Sequence, residues 1–148
     1  MPVPSASPSP SRRSVVQCIE PSDLATLERT LEERDVTLFF SESPTNPYLR
    51  CVDVRRISEL CHAKGALVCI DSTFATPVNQ RALSLGADIV IHSATKYLAG
   101  HNDVMAGALA GNNDLVRSTG EGWCSVGNQC QFQLVHTCQN SLAGYMYM

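Results

Sequence analysis

Three short apolar runs constrain this chain more than any other feature. Val36 to Phe40 (VTLFF), Leu67 to Ile70 (LVCI) and Asp88 to Ile91 (DIVI) are β-prone, and polar loops follow each of them. Runs this short read as strands covered on both faces. Between the first two, Asp53 can cap a helix whose Val54, Ile57, Leu60 and Cys61 share a face, with Gly65 placed to end it. Between the second and third, a Pro77-containing loop leads into a short helical segment with Ala82, Leu83 and Leu85, closed by Gly86. Upstream, Leu24, Leu27 and Leu31 form one helical stripe, capped by Ser22 or Asp23 and ending near Arg34. Met105 to Ala110 is a weaker strand, softened by Gly107.

Strand, helix, strand, helix, strand with short connections is the βαβ rhythm, which predicts an α/β fold with parallel strands. Ligands in such sheets bind beyond the carboxyl ends of the strands. The residues there are Glu42 to Asn46, Asp71 to Thr73 and Ser93 to Lys96, so a carboxylate, a lysine, two hydroxyls and an amide converge on one sheet edge.

That set suits pyridoxal 5'-phosphate (PLP). This cofactor needs an amine for covalent attachment, an anion opposite its pyridine nitrogen and donors for its phosphate. Asp71 ends an apolar strand, where an unpaired charge is costly unless it meets a cation. A strand-end aspartate that caps the following turn would explain the same position. Lys96 follows Ser93, Ala94 and Thr95 directly after a buried strand, where partial desolvation would favour the nucleophilic amine. Taken alone, a loop lysine is ordinarily a surface lysine.

Other chemistries find no support in the residues. With 11 basic against 14 acidic side chains and no basic stripe, the chain is not built for nucleic acid. No apolar run approaches the roughly 20 residues of a membrane span. No G-x-G-x-x-G follows a strand and no G-K-[ST] occurs, which removes nucleotide-binding α/β domains. Seven cysteines without a C-x-x-C pair or a signal peptide read as free thiols in a reducing compartment. Cys61 and Cys69 occupy apolar positions as small hydrophobes. Cys124, Cys130, His136 and Cys138 have zinc-ligand chemistry but no usual zinc spacing, so no metal site is expected.

Three motifs carry a resemblance. SESPTNP (Ser41 to Pro47), DSTFATP (Asp71 to Pro77) and HSATKYLAGHNDVMAG (His92 to Gly107) are similar, in order and spacing, to signatures of the Cys/Met-metabolism PLP enzymes of fold type I. Within that family FFSESPTNPYLRCVDV, GALVCIDSTFATPVNQ and GHNDVMAG look most like the plant-type cystathionine gamma-synthases. The resemblance runs from about Ser22 to Val116. It implies part of a large PLP-binding domain, a three-layer α/β fold with a mainly parallel sheet. It gives Lys96 the covalent link to PLP, Asp71 the pyridine nitrogen, Ser93 and Thr95 the phosphate, and Asn46 the cofactor's phenolic oxygen and the substrate. The implied reaction is transsulfuration in methionine biosynthesis, joining cysteine to an activated homoserine such as O-phosphohomoserine to give cystathionine. Cystathionine gamma-lyase and methionine gamma-lyase share the motifs, so the direction of reaction stays open. The family forms homo-oligomers, and its plant members imply a chloroplast setting, as does the serine- and arginine-containing start; otherwise the chain is cytoplasmic.

The sequence divides into a Pro/Ser-rich segment 1–20 expected to be disordered, a partial PLP-binding domain 21–116, and a tail 117–148 expected to be irregular and unlike the family. The family's glycine-containing phosphate turn, its cofactor-stacking tyrosine, its N-terminal arm and its C-terminal domain have no counterpart. The chain therefore reads as truncated, with a catalytically inert piece or a partner of a full-length subunit as the rival to an active transferase or lyase.

Overall fold

A computed structural model of the chain describes residues 15–112 and 114–116, together with the backbone of 136–138 and 142–147. Of the segment 1–20 expected to be disordered, residues 1–14 lie outside the described residues and 15–20 form neither helix nor strand; Cys124 and Cys130 also lie outside the described residues, as do the side chains of His136 and Cys138.

The helix signals act as the sequence predicts. Helix α1 (Leu24–Glu33) starts at Asp23, whose carboxylate accepts from the Thr26 amide at 3.0 Å, and it buries Leu27 and Leu31. Helix α2 (Val54–His62) starts in the same way at Asp53, which accepts from the Arg56 amide at 3.0 Å, and it buries Val54, Ile57 and Cys61. Pro77, expected in a loop, instead lies in the single-turn helix α3 (Thr76–Asn79), since a proline's fixed φ suits a first helical turn. A 3-10 helix (Ala82–Leu85) follows and ends on left-handed Gly86.

Strands β1 (Leu38–Glu42), β2 (Leu67–Asp71) and β3 (Ile89–Ser93) pair in parallel, as the βαβ rhythm requires. No helix crosses between β3 and β4 (Gly107–Asn112), so β4 returns antiparallel to its neighbour. Within the tail expected to be irregular, β5 (His136–Cys138) and β6 (Leu142–Tyr147) pair as antiparallel strands. The reason is that the outer edge of β4 offers unpaired amide and carbonyl groups, and Tyr145, Met146 and Tyr147 suit a pleated strand. The spatial order is β1-β2-β3-β4-β6-β5.

One core holds the helices to the sheet: Leu31 of α1, Ile57 of α2, Phe39 of β1, Val68 and Ile70 of β2, and Val90 of β3 pack together. The sequence suggested that β1 is covered on both faces, but only Phe39 and Ser41 are buried, while Leu38 and Phe40 stand 49% and 56% exposed. Apolar residues do not by themselves recruit a second layer, and among the described residues the helices cover only the Phe39 face. Asp88 joins β2 to β3, its carboxylate accepting from the Val68 amide at 2.7 Å and meeting His62 at 2.8 Å.

Candidate active site

Three adjacent strands end on polar residues. Glu42 closes β1, Asp71 closes β2 and Ser93 closes β3, and the register sets Glu42 beside Asp71 and Asp71 beside Ile91, two residues before Ser93. Because side chains alternate across a sheet, Glu42, Asp71 and Ser93 emerge on the same face, opposite Phe39 and Val68. The loops that follow bring in Asn46, Thr95 and Lys96. All five residues named from the sequence line one cavity of about 580 Å³, with Glu42, Thr73, Phe74 and Tyr97 among the others. That volume is in the range of small-molecule sites.

Asp71 does two things at once. Its Oδ1 accepts from the Thr73 amide at 2.9 Å and from the Thr73 hydroxyl at 2.6 Å, so the aspartate does cap its own turn. Oδ2 has no hydrogen-bond partner among the described residues, which leaves one anionic oxygen for a ligand. Lys96 forms no ion pair with Glu42 or Asp71. It is exposed, not partly desolvated as the sequence suggested, because it sits in the turn after β3 and no described element packs over it.

The two hydroxyls differ. Ser93 Oγ has no partner among the described residues. Thr95 Oγ1 donates to the Ala106 carbonyl at 3.2 Å and accepts from the Ala106 amide at 2.9 Å. Thr95 therefore first of all closes the loop that carries Lys96, and its hydroxyl proton must leave Ala106 before it can reach an anion. The Asn46 amide N–H donates to Glu42 Oε2 at 2.8 Å, which fixes the loop after β1 while the Asn46 side chain stays exposed.

Behind the cavity lie buried polar side chains that bond to one another. Ser43 and Ser72 are buried, and the Gln80 side chain bridges them: the Ser43 hydroxyl donates to its Oε1 at 3.4 Å and its Nε2 donates to Ser72 Oγ at 3.1 Å. Burial holds the His92 imidazole below its ordinary value, against the opposing pull of the Asp71 carboxylate and the Ser72 backbone. Phe74 and Tyr97 form a tilted aromatic pair at 6.2 Å on the cavity wall.

Among the lining residues to which the sequence assigned no role, Glu42 and Thr73 carry polar side chains in the strand-end stretches. Glu42 was readable as a strand-end carboxylate. Thr73 was readable from its position two residues after an aspartate, where a hydroxyl and an amide can both reach the carboxylate.

Known proteins are similar to this chain over much of its length. The chain is 64% identical over 98 residues to cystathionine gamma-synthase 1, chloroplastic, of Nicotiana tabacum, covering 66% of this chain and 18% of that protein. It is 61% identical over 101 residues to the protein of the same name from Arabidopsis thaliana, covering 68% and 18%. Among solved structures, a cystathionine gamma-lyase from Lactobacillus plantarum complexed with L-serine superposes with a TM-score of 0.64 at 37% identity, over 69% of this chain and 26% of that one. The chain thus spans about a fifth to a quarter of these relatives. The sequence profile of the Cys/Met metabolism PLP-dependent enzymes matches residues 9–132, most of the chain, and the protein belongs to that family.

Proposed function

We propose that this chain carries the cofactor-binding half of a PLP-dependent site that handles amino-acid substrates, of the kind that joins cysteine to an activated homoserine such as O-phosphohomoserine. PLP is the cofactor of the family. The observation that carries the reading is that Lys96, Asp71, Ser93, Thr95 and Asn46 line a single cavity in which, among the described residues, Lys96 is unpaired and Asp71 keeps one oxygen free.

The residues present fit PLP. Lys96 supplies the amine for covalent attachment, the free Asp71 oxygen can keep a proton on the pyridine nitrogen, and the Ser93 hydroxyl is available to a phosphate. Asn46, on the loop tied to Glu42, is within the same cavity for the phenolic oxygen or the substrate. When bound, PLP withdraws electrons from the substrate carbon next to the amine. Lys96, which lines the cavity, would be the group to take or return the proton at that carbon.

Residues 21–116 carry every side chain in this reading, with 1–20 and 117–148 as flanks. Cystathionine formation and a plant chloroplast setting are proposed on the strength of the tobacco and Arabidopsis relatives, and the place in methionine biosynthesis and homo-oligomeric assembly on the resemblance of the motifs to the family. The exposure of Lys96 favours a second reading, in which the motifs are inherited and the chain is idle unless a full-length subunit completes the site.

Incubation of the purified chain with PLP, reduction with borohydride and peptide mass mapping separates the two. An adduct confined to Lys96 and lost in Lys96→Ala is the expected result. Folded protein that takes no label at Lys96 would overturn the cofactor reading.

A further inference from the structure

We propose that Thr73 is a positioning residue that fixes the Asp71 carboxylate relative to Ser93, so that the grips on the two ends of the cofactor form one rigid unit; the proposal rests on the PLP reading above. The Thr73 hydroxyl donates to Asp71 Oδ1 at 2.6 Å and accepts from the Ser93 amide at 2.7 Å, while the Thr73 amide donates to the same Oδ1 at 2.9 Å. One side chain thereby ties the end of β2 to the end of β3.

Only a group that both donates and accepts can hold this place, and a hydroxyl does so with a single atom. Two donors on Oδ1 fix the plane of the carboxylate and leave Oδ2 as the oxygen toward the ligand. The β-branch of threonine restricts its own χ1, so the hydroxyl is held ready to bridge. Without it the Ser93 amide, at the end of a strand and partly buried, loses its partner, and the carboxylate is free to rotate away. A ligand gripped at both ends is sensitive to errors of this size, because first-contact groups need support from the residues behind them.

The test uses the full chain as wild type, Thr73→Val and Thr73→Ser. Three quantities are read: the PLP dissociation constant, the pH midpoint of the visible absorbance of Lys96-bound PLP, and the hydrogen-exchange rate of the Ser93 amide in cofactor-free protein. Thr73→Val should weaken PLP binding about tenfold, the size expected for losing a hydrogen bond to a charged group, while moving the midpoint and speeding Ser93 exchange. Thr73→Ser, which keeps the hydroxyl, should restore all three. Should the valine variant fail to fold, Thr73→Ala with the same readouts decides. Labelled wild type with an unmoved dissociation constant and midpoint in Thr73→Val would overturn the role of Thr73 and leave the PLP reading intact. Wild type that takes no label at Lys96 would remove the PLP reading and this role with it, and faster Ser93 exchange in Thr73→Val would then mark the bridge as purely structural.

Discussion

Cys61 and Cys69 are 0% and 4% exposed, and burial pushes both thiols up to about 11, with the charges of Asp88 and Asp71 respectively adding to the effect. Their ordinary value is 9.0, so below that pH both are neutral whether the chain is folded or not. Between pH 9 and 11 the unfolded chain ionises them and the folded chain does not, so stability that is intact at neutral pH is lost as pH rises through this window. The expected loss is on the order of a few kcal/mol, read as a falling urea midpoint, and Cys61→Ala/Cys69→Ala should flatten the fall; an unchanged slope would count against it. The exposed Cys18 and Cys51 should meanwhile react with a thiol reagent at neutral pH well before the buried pair. At this scale the sequence was informative where residue type and chain position suffice: a lysine, an aspartate and a serine directly after β-prone runs. It was silent where a property depends on what packs nearby, as with the exposure of Lys96 or the commitment of the Thr95 hydroxyl to Ala106.

Elements were legible through their ends more than their middles. Asp53 and Gly65 bracket α2 as the sequence indicates, whereas β1 and β3 begin one or two residues later than their apolar runs, although the Thr37 carbonyl and the Asp88 amide already bond to β2. The direction of β4 was also hidden, since it depends on a connection without a helix. Two glycines separate local from tertiary cost. Gly65 (φ +76) and Gly86 (φ +107) both have backbones that other residues rarely adopt, but a Cβ on Gly65 meets nothing within 4 Å, whereas one on Gly86 would lie 2.9 Å from Ser58 Cβ. Gly65→Ala should therefore cost only about 1–2 kcal/mol of backbone strain. Gly86→Ala should cost about 1–3 kcal/mol more, because Ser58 is 2% exposed at the packed α2 interface and cannot easily move. Urea titration of the two variants checks the order, and equal losses would mean that the contact relaxes freely.

For the molecule as a whole, the sheet face that carries the site also exposes apolar side chains among the described residues. Leu38 and Phe40 stand out on β1, which is an edge strand among the described residues, while Tyr48, Leu49, Tyr97 and Met105 are exposed on the loops around the cavity. An edge strand offers free amide and carbonyl groups, and an apolar outer face adds a hydrophobic gain to any pairing there. The net charge of -3 gives little repulsion to oppose it. The chain should therefore self-associate with rising concentration, and Leu38→Lys/Phe40→Lys should shift it toward monomer. Neither residue lines the cavity, so the substituted protein should still form its adduct on Lys96. Sedimentation velocity over a concentration series distinguishes the outcomes. A wild-type monomer at high concentration would show that the outer face of β1 is covered in solution, and a double variant that stays associated would move the contact to the loops around the cavity.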